Sequence, residues 1–139
     1  MIDAKSFLQQ VEMLDARIKN KLIEKKQWED IALGITANIG GERVQSSGSQ
    51  QKMADAVVKC VDMETEIDKL IDELIDTKKK VIETIESLYS PTEYKILHLR
   101  YIQCISLTEI ADTLNREYTW VTTTHGRALK NVQKILNKQ

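Results

Sequence analysis

The chain has 139 residues, of which 42% are hydrophobic, 29% charged and 5% aromatic, with one Pro, five Gly and a formal net charge of −1. That balance excludes a chain disordered throughout, contains no apolar run of membrane-spanning length, and favours an all-helical protein with a modest core: one domain, or a small domain beside a long helical element. The charge is unevenly divided, with 13 Lys/Arg against 17 Asp/Glu (net −4) in residues 1–89 and 7 against 4 (net +3) in residues 90–139, so the C-terminal third is the part that permits nucleic-acid contact.

The first predicted element covers about residues 3–33. Ala4, Phe7, Val11, Leu14, Ile18 and Trp28 fall on a heptad seam, Leu8 and Leu22 widen it, and Lys21 and Lys25 interrupt it. Gly34 is placed to cap its C-terminus. The Gly- and Ser-rich stretch at about 35–50 follows as a loop, and it holds neither GxGxxG nor GK[ST], so it reads as a connection and not a phosphate cradle. From about Gln51 to Leu88 a longer seam runs through Met53, Val57, Cys60, Ile67, Ile71, Leu74, Val81, Ile85 and Leu88, broken at Glu64 and Lys78. The two stripes can zip together as an antiparallel hairpin, or against a second copy of the chain as a coiled coil, so a homodimer through residues 1–89 stays open.

Two capping boxes follow. In "SPTE", Ser90 is the N-cap, Pro91 takes the first helical position where its missing N–H costs nothing, and Glu93 is placed to bond back to the Ser90 amide. That helix runs to about Gln103 through Tyr94, Ile96, Leu97, Leu99, Tyr101 and Ile102. "SLTE" repeats the device at Ser106 and Glu109 and opens a short helix, Leu107 to Leu114. "NREY" then separates it from a last helix, giving the form of a helix-turn-helix. Ala111 is small where the two helices cross, Asn115 suits a left-handed turn conformation, and Val121 can plug the crossing.

The last helix contains "TWVTTTHGRALKN", and Thr122, Thr123, Thr124 and Gly126 are poor helix formers. With Val121, Ala128 and Leu129 turned inward, Tyr118, Thr119, Thr122, Thr123 and Arg127 lie on the outward side. Threonine brings a hydroxyl for phosphates and base edges and a methyl for the thymine methyl, and Gly126 lets a backbone come close. Surface threonines that are merely tolerated are the plainer alternative.

The stretch "YSPTEYKILHLRYIQCISLTEIADTLNREYTWVTTTHGRALKNVQKIL" resembles region 4 of the bacterial sigma-70 family, through "ILHLRY", "SLTEIA" and a valine seven residues before "AL". The chain as a whole is similar to small sigma-like regulators of phages and integrated elements, of the RinA/ArpU type. The resemblance implies a DNA-binding module that reads a promoter element and contacts RNA polymerase. It departs from the family at Tyr118, Thr122 and Thr123, where sigma factors carry Arg and Gln, at Thr124 in the core, and at Glu117 in place of a Ser/Thr N-cap, so that Thr119 is an alternative cap. Nothing resembles sigma region 2.

The expected fold is all-α: a long helical hairpin or coiled coil over 1–89, then a sigma-4-like helix-turn-helix over 90–139. The expected function is sequence-specific binding of double-stranded DNA by a phage or mobile-element late-gene activator acting with RNA polymerase. Arg100 and Thr108 are candidate phosphate contacts; Tyr118, Thr119, Thr122 and Thr123 are candidate base readers; Arg127 and Lys130 should engage the DNA backbone. The alternative is an interaction module that grips RNA polymerase or a sigma factor without reading DNA. No nucleophile–base pair or paired carboxylates appear, so neither an enzyme nor a cofactor is expected. Cys60 and Cys104 show no CxxC spacing and His98 and His125 form no ligand pair with them, so no metal is expected. The N-terminus "MIDAKSFLQQ" lacks the basic and apolar regions of a signal peptide, which points to a cytoplasmic protein.

Overall fold

Why each segment becomes a helix is visible at its ends. The computed structural model describes residues 2–34 and 47–139, with the side chains of the second stretch from Gln50 onward. Among these residues every regular element is helical: α1 Ala4–Ala32, α2 Ser47–Glu86, α3 Pro91–Leu97 continued by a π-helical turn His98–Ile102, α4 Leu107–Leu114 and α5 Tyr118–Asn137. Asp3 starts α1, its carboxylate accepting from the Ser6 amide at 2.7 Å, and this hydrogen bond holds its pKa below the ordinary carboxylate value. Gly34 ends the segment at φ +72°, the left-handed conformation that glycine adopts without a Cβ penalty, as its sequence position suggested.

Of the loop expected at about 35–50, residues 35–46 lie outside the described residues, and Ser47–Gln50 already belong to α2. Just beyond, Gln51 Nε2 donates to Asp55 Oδ1 at 2.9 Å, an i,i+4 contact that steadies the opening turns.

The chain divides into two compact units, Met1–Leu14 with Leu74–Gln139, and Asp15–Glu73. In the second unit α1 and α2 run antiparallel, because Lys21 Nζ meets Glu66 at 3.1 Å while Lys25 Nζ, further along α1, meets Glu64, earlier on α2, at 3.0 Å. Lys21 and Lys25, which interrupt the α1 seam, thus find partners on the facing helix. Hydrogen bonding to Glu64 raises the Lys25 pKa, and hydrogen bonding to Lys21 lowers that of Glu66.

The seam of α2 differs from the expected one. Cys60, Ile67, Leu74, Val81 and Ile85 do line its inner side, with Leu88 half-buried just past its end, but the accompanying row is Ala56, Met63, Leu70, Thr77 and Thr84, while Met53, Val57 and Ile71 are exposed. Glu64 therefore breaks nothing, since it falls outside the rows packed there, while Lys78 stands exposed one heptad before Ile85, the member of its row that is completely buried. Thr84 is accommodated because its hydroxyl donates to the Lys80 carbonyl at 2.8 Å.

In the first unit α3 and its π-helical turn separate two apolar clusters. Leu97 and Tyr101 face Ala4, Leu8 and Val11 of α1, Val81 and Ile85 of α2, and Ala128 and Val132 of α5. Ile96 and Leu99 face Ile110 and Ala111 of α4 and Val121 of α5. The Ala4 amide donates to Gln133 Oε1 at 2.7 Å, fastening the start of α1 to α5. Ser90 and Ser106 cap α3 and α4 through the amides of Glu93 and Glu109, at 3.3 and 3.2 Å. The reciprocal half of the first box is not used as expected: Glu93 is buried and its carboxylate instead accepts from Asn131 Nδ2 of α5 at 2.6 Å.

Candidate nucleic-acid interface

The turn between α4 and α5 sets the geometry. Asn115 ends α4 in the left-handed conformation (φ 53°, ψ 49°), and the Arg116 amide donates to the Ala111 carbonyl at 2.9 Å. Glu117 occupies the N-cap of α5 without a side-chain capping bond, and α5 begins at Tyr118, so Thr119 lies inside the helix and does not cap it. Ala111 and Val121 pack in one cluster where the two helices meet, which leaves the opposite side of α5 to solvent.

On α5, Val121, Thr124, Ala128 and Val132 are buried. Thr124 tolerates this because its hydroxyl donates to the Trp120 carbonyl at 2.8 Å. Thr119, Thr122, Thr123, Gly126, Arg127 and Lys130 recur at helical spacing on the other side. Thr119, Thr123, Arg127 and Lys130 are exposed and Thr122 is half-buried. At 1.5 Å per residue the stripe is about 17 Å long. Tyr118 opens the helix, exposed beside Thr122.

Two features of this stripe have no internal cause. A Cβ built on Gly126 meets nothing within 4 Å, so neither packing nor a left-handed backbone requires glycine there. Among the described residues no carboxylate lies within ion-pair distance of Arg127, Lys130 or Lys134, so the helix presents unneutralised cations. Thr122 Oγ1 donates its proton to the Thr119 carbonyl at 3.0 Å and so shows lone pairs outward, whereas the Thr123 side chain is exposed.

Thr108 is exposed in the first turn of α4. Arg100 stands apart. It is half-buried in the π-helical turn, 3.5 Å from Glu12 of α1 and with its guanidinium carbon 5.4 Å from the Tyr101 ring centroid, so it braces the first unit. Next to it Tyr101 Oη and His125 Nε2 share a hydrogen bond of 2.8 Å. Burial pushes the Tyr101 phenol up and the His125 imidazole down, the latter helped by the positive charges of Arg100 and Lys5, so both partners stay neutral. Sequence reasoning passed over Arg116 and Trp120. The exposed Arg116 guanidinium sits over the Trp120 ring with its carbon 4.7 Å from the centroid, and the four-residue interval between them was the available signal.

Among the described residues no group of three or more His, Cys, Asp or Glu is arranged to hold a metal ion, and no helix is long and apolar enough to cross a membrane. No curated protein and no solved structure matches the chain. The family described as Protein of unknown function (DUF1492) matches residues 37–137, which takes in α2 to α5 and the whole of the exposed stripe; the chain belongs to this family.

Proposed function

We propose that this protein is a sequence-specific regulator of transcription that binds double-stranded DNA through α4 and α5 as a helix-turn-helix, with α5 in the major groove. The observation that carries the reading is the outward side of α5: threonines and an uncrowded glycine stand where helix stability and packing call for neither, next to cations that have no internal partner. Its length of about 17 Å suits a groove about 12 Å wide entered at an angle. Tyr118, Thr119, Thr122 and Thr123 read base edges, and Arg127, Lys130 and Thr108 hold phosphates. With its proton committed to the Thr119 carbonyl, Thr122 is set to accept from the amino group of adenine or cytosine.

The similarity to sigma-70 region 4 extends the proposal to a late-gene activator of phage or mobile-element type working with RNA polymerase in the cytoplasm, a binding protein and not a catalyst. The protein-interaction reading draws support from the modest net charge of +3 in residues 90–139, which limits the number of phosphate contacts. Selection of duplexes from a random pool by the full chain tests the proposal: an enriched motif is expected. Recovery of core polymerase by a protein that enriches no duplex would replace DNA reading with the interaction module.

A further inference from the structure

The turn ahead of α5 contains a cation for which the fold provides a seat and no counter-ion. Arg116 is exposed, and its backbone is fixed by the hydrogen bond to Ala111, immediately after the left-handed Asn115. Its guanidinium lies over the Trp120 ring, and Trp120 is itself half-buried against the cluster of Ile96, Leu99, Ile110, Ala111 and Val121. Asp112 and Glu117 border the same shallow cleft, yet no carboxylate among the described residues comes within 4 Å of the Arg116 nitrogens. A flexible arginine with acidic neighbours would ordinarily pair with one of them. Here the stacking on Trp120 holds the planar fork in place while its hydrogen-bond donors stay unused.

Trp120 lies one helical turn from Thr123 and two from Arg127, so the stacked pair borders the N-terminal end of the exposed stripe. We infer that Arg116, held by Trp120, is a preset clamp for a backbone phosphate of duplex DNA, fixing how far α5 enters the groove. This rests on the DNA-binding reading above and adds a phosphate contact at the turn, at the end opposite to Lys130. The occupant is a phosphodiester because a guanidinium fork matches two phosphate oxygens and the donors of Arg116 are held exposed with neither Asp112 nor Glu117 taking them. Trp120 is a positioning residue: it acts through Arg116.

The test measures duplex affinity against salt concentration for the full chain and for Arg116→Gln, Arg116→Lys and Trp120→Leu, on the selected duplex and on an unrelated one. Arg116→Gln is expected to weaken both duplexes about tenfold and to reduce the salt slope by about 1, as loss of one charge-assisted phosphate contact does. Arg116→Lys should restore the slope with only part of the affinity, because a lysine keeps the charge and loses the fork. Trp120→Leu, which keeps an apolar side chain, should weaken both duplexes without changing the slope. If the wild type binds and Arg116→Gln shows the same affinity and slope, the clamp is wrong while the DNA-binding reading stands. A wild type that binds no duplex removes both.

Discussion

Gly126 and the threonines beside it are where local stability and the proposed use of α5 conflict. An alanine at 126 fits without touching anything and should raise stability by about 1 kcal/mol, and replacing Thr122 and Thr123 together with alanine should add roughly a kcal/mol in helix propensity. If the stripe reads DNA, the Thr122/Thr123 double variant should lose about 1–3 kcal/mol of binding to the selected duplex while its melting temperature rises. Both quantities are to be measured on the same preparation, and unchanged affinity would leave the interaction module as the better reading. The Tyr101–His125 hydrogen bond makes a second prediction. The folded-state pKa of His125 lies below its ordinary 6.5, so the unfolded chain takes up the proton first. The associated stability is fully present above about pH 6.5 and is lost as pH falls through the lower folded value. Denaturant titrations between pH 7 and pH 5 should show wild type losing more stability than His125→Gln; parallel losses in the two proteins would mean that this imidazole contributes nothing to the acid response.

Helix α1 has a structural duty that the family match, beginning at residue 37, does not convey. Its first two turns bring Ala4, Leu8 and Val11 into the cluster that also holds Ala128 and Val132 of α5, and Leu8 is completely buried there. Leu8→Ala should therefore cost about 2–5 kcal/mol, the range for emptying a filled core position. Because the cluster supports α5, any duplex affinity that the DNA-binding proposal expects should fall with the population of folded protein. Denaturation monitored by circular dichroism gives the loss, and a change below 1 kcal/mol would mean that α1 is not integral to this unit. Helix α2 shows a related point: a single amphipathic helix packs different partners along its length, the Lys21 and Lys25 pairs in one unit and Leu8 and Val11 in the other.

For the molecule as a whole, the charge division sets the expected solution behaviour. A region of net +3 makes few phosphate contacts, and two linked modules gain affinity through effective concentration, so self-association through residues 1–89 goes with the DNA-binding proposal. Val57, Val58 and Val61, exposed at 51%, 60% and 57% on one side of α2, supply apolar area for it. Light scattering at tens of micromolar should give about twice the 16.0 kDa chain mass, falling toward the monomer for a Val58→Lys, Val61→Lys double variant. A monomer mass for the unaltered protein at that concentration removes the dimer and leaves single-module binding.

Several helix starts and stops were legible in the sequence because the deciding atoms lie within about four residues of one another, although the sequence left the cap of α5 open between Glu117 and Thr119. Ser90, Pro91 and Ser106 announce α3 and α4, Asn115 announces the left-handed turn and Gly34 the end of α1, because a cap or a positive φ is a local matter. The exposed stripe of α5 was legible for the same reason, helical spacing being enough to sort Val121 and Ala128 from Thr119 and Thr123. Only the tertiary structure decided which rows of α2 are packed. The row through Cys60, Ile67, Leu74 and Val81 is common to two seams, one completed by Val57, Glu64 and Ile71 and the other by Ala56, Met63 and Leu70, and the helix alone cannot choose between them. The facing helix takes part in the choice, since Lys21 and Lys25 of α1 pair with Glu66 and Glu64, which flank the buried Met63 and Ile67 on either side. Glu93 turning to Asn131 and Arg100 meeting Glu12 belong to the same class, since each partner is distant in sequence and is brought near only in the folded chain; for Glu93 that contact overrode the local bond to the Ser90 amide.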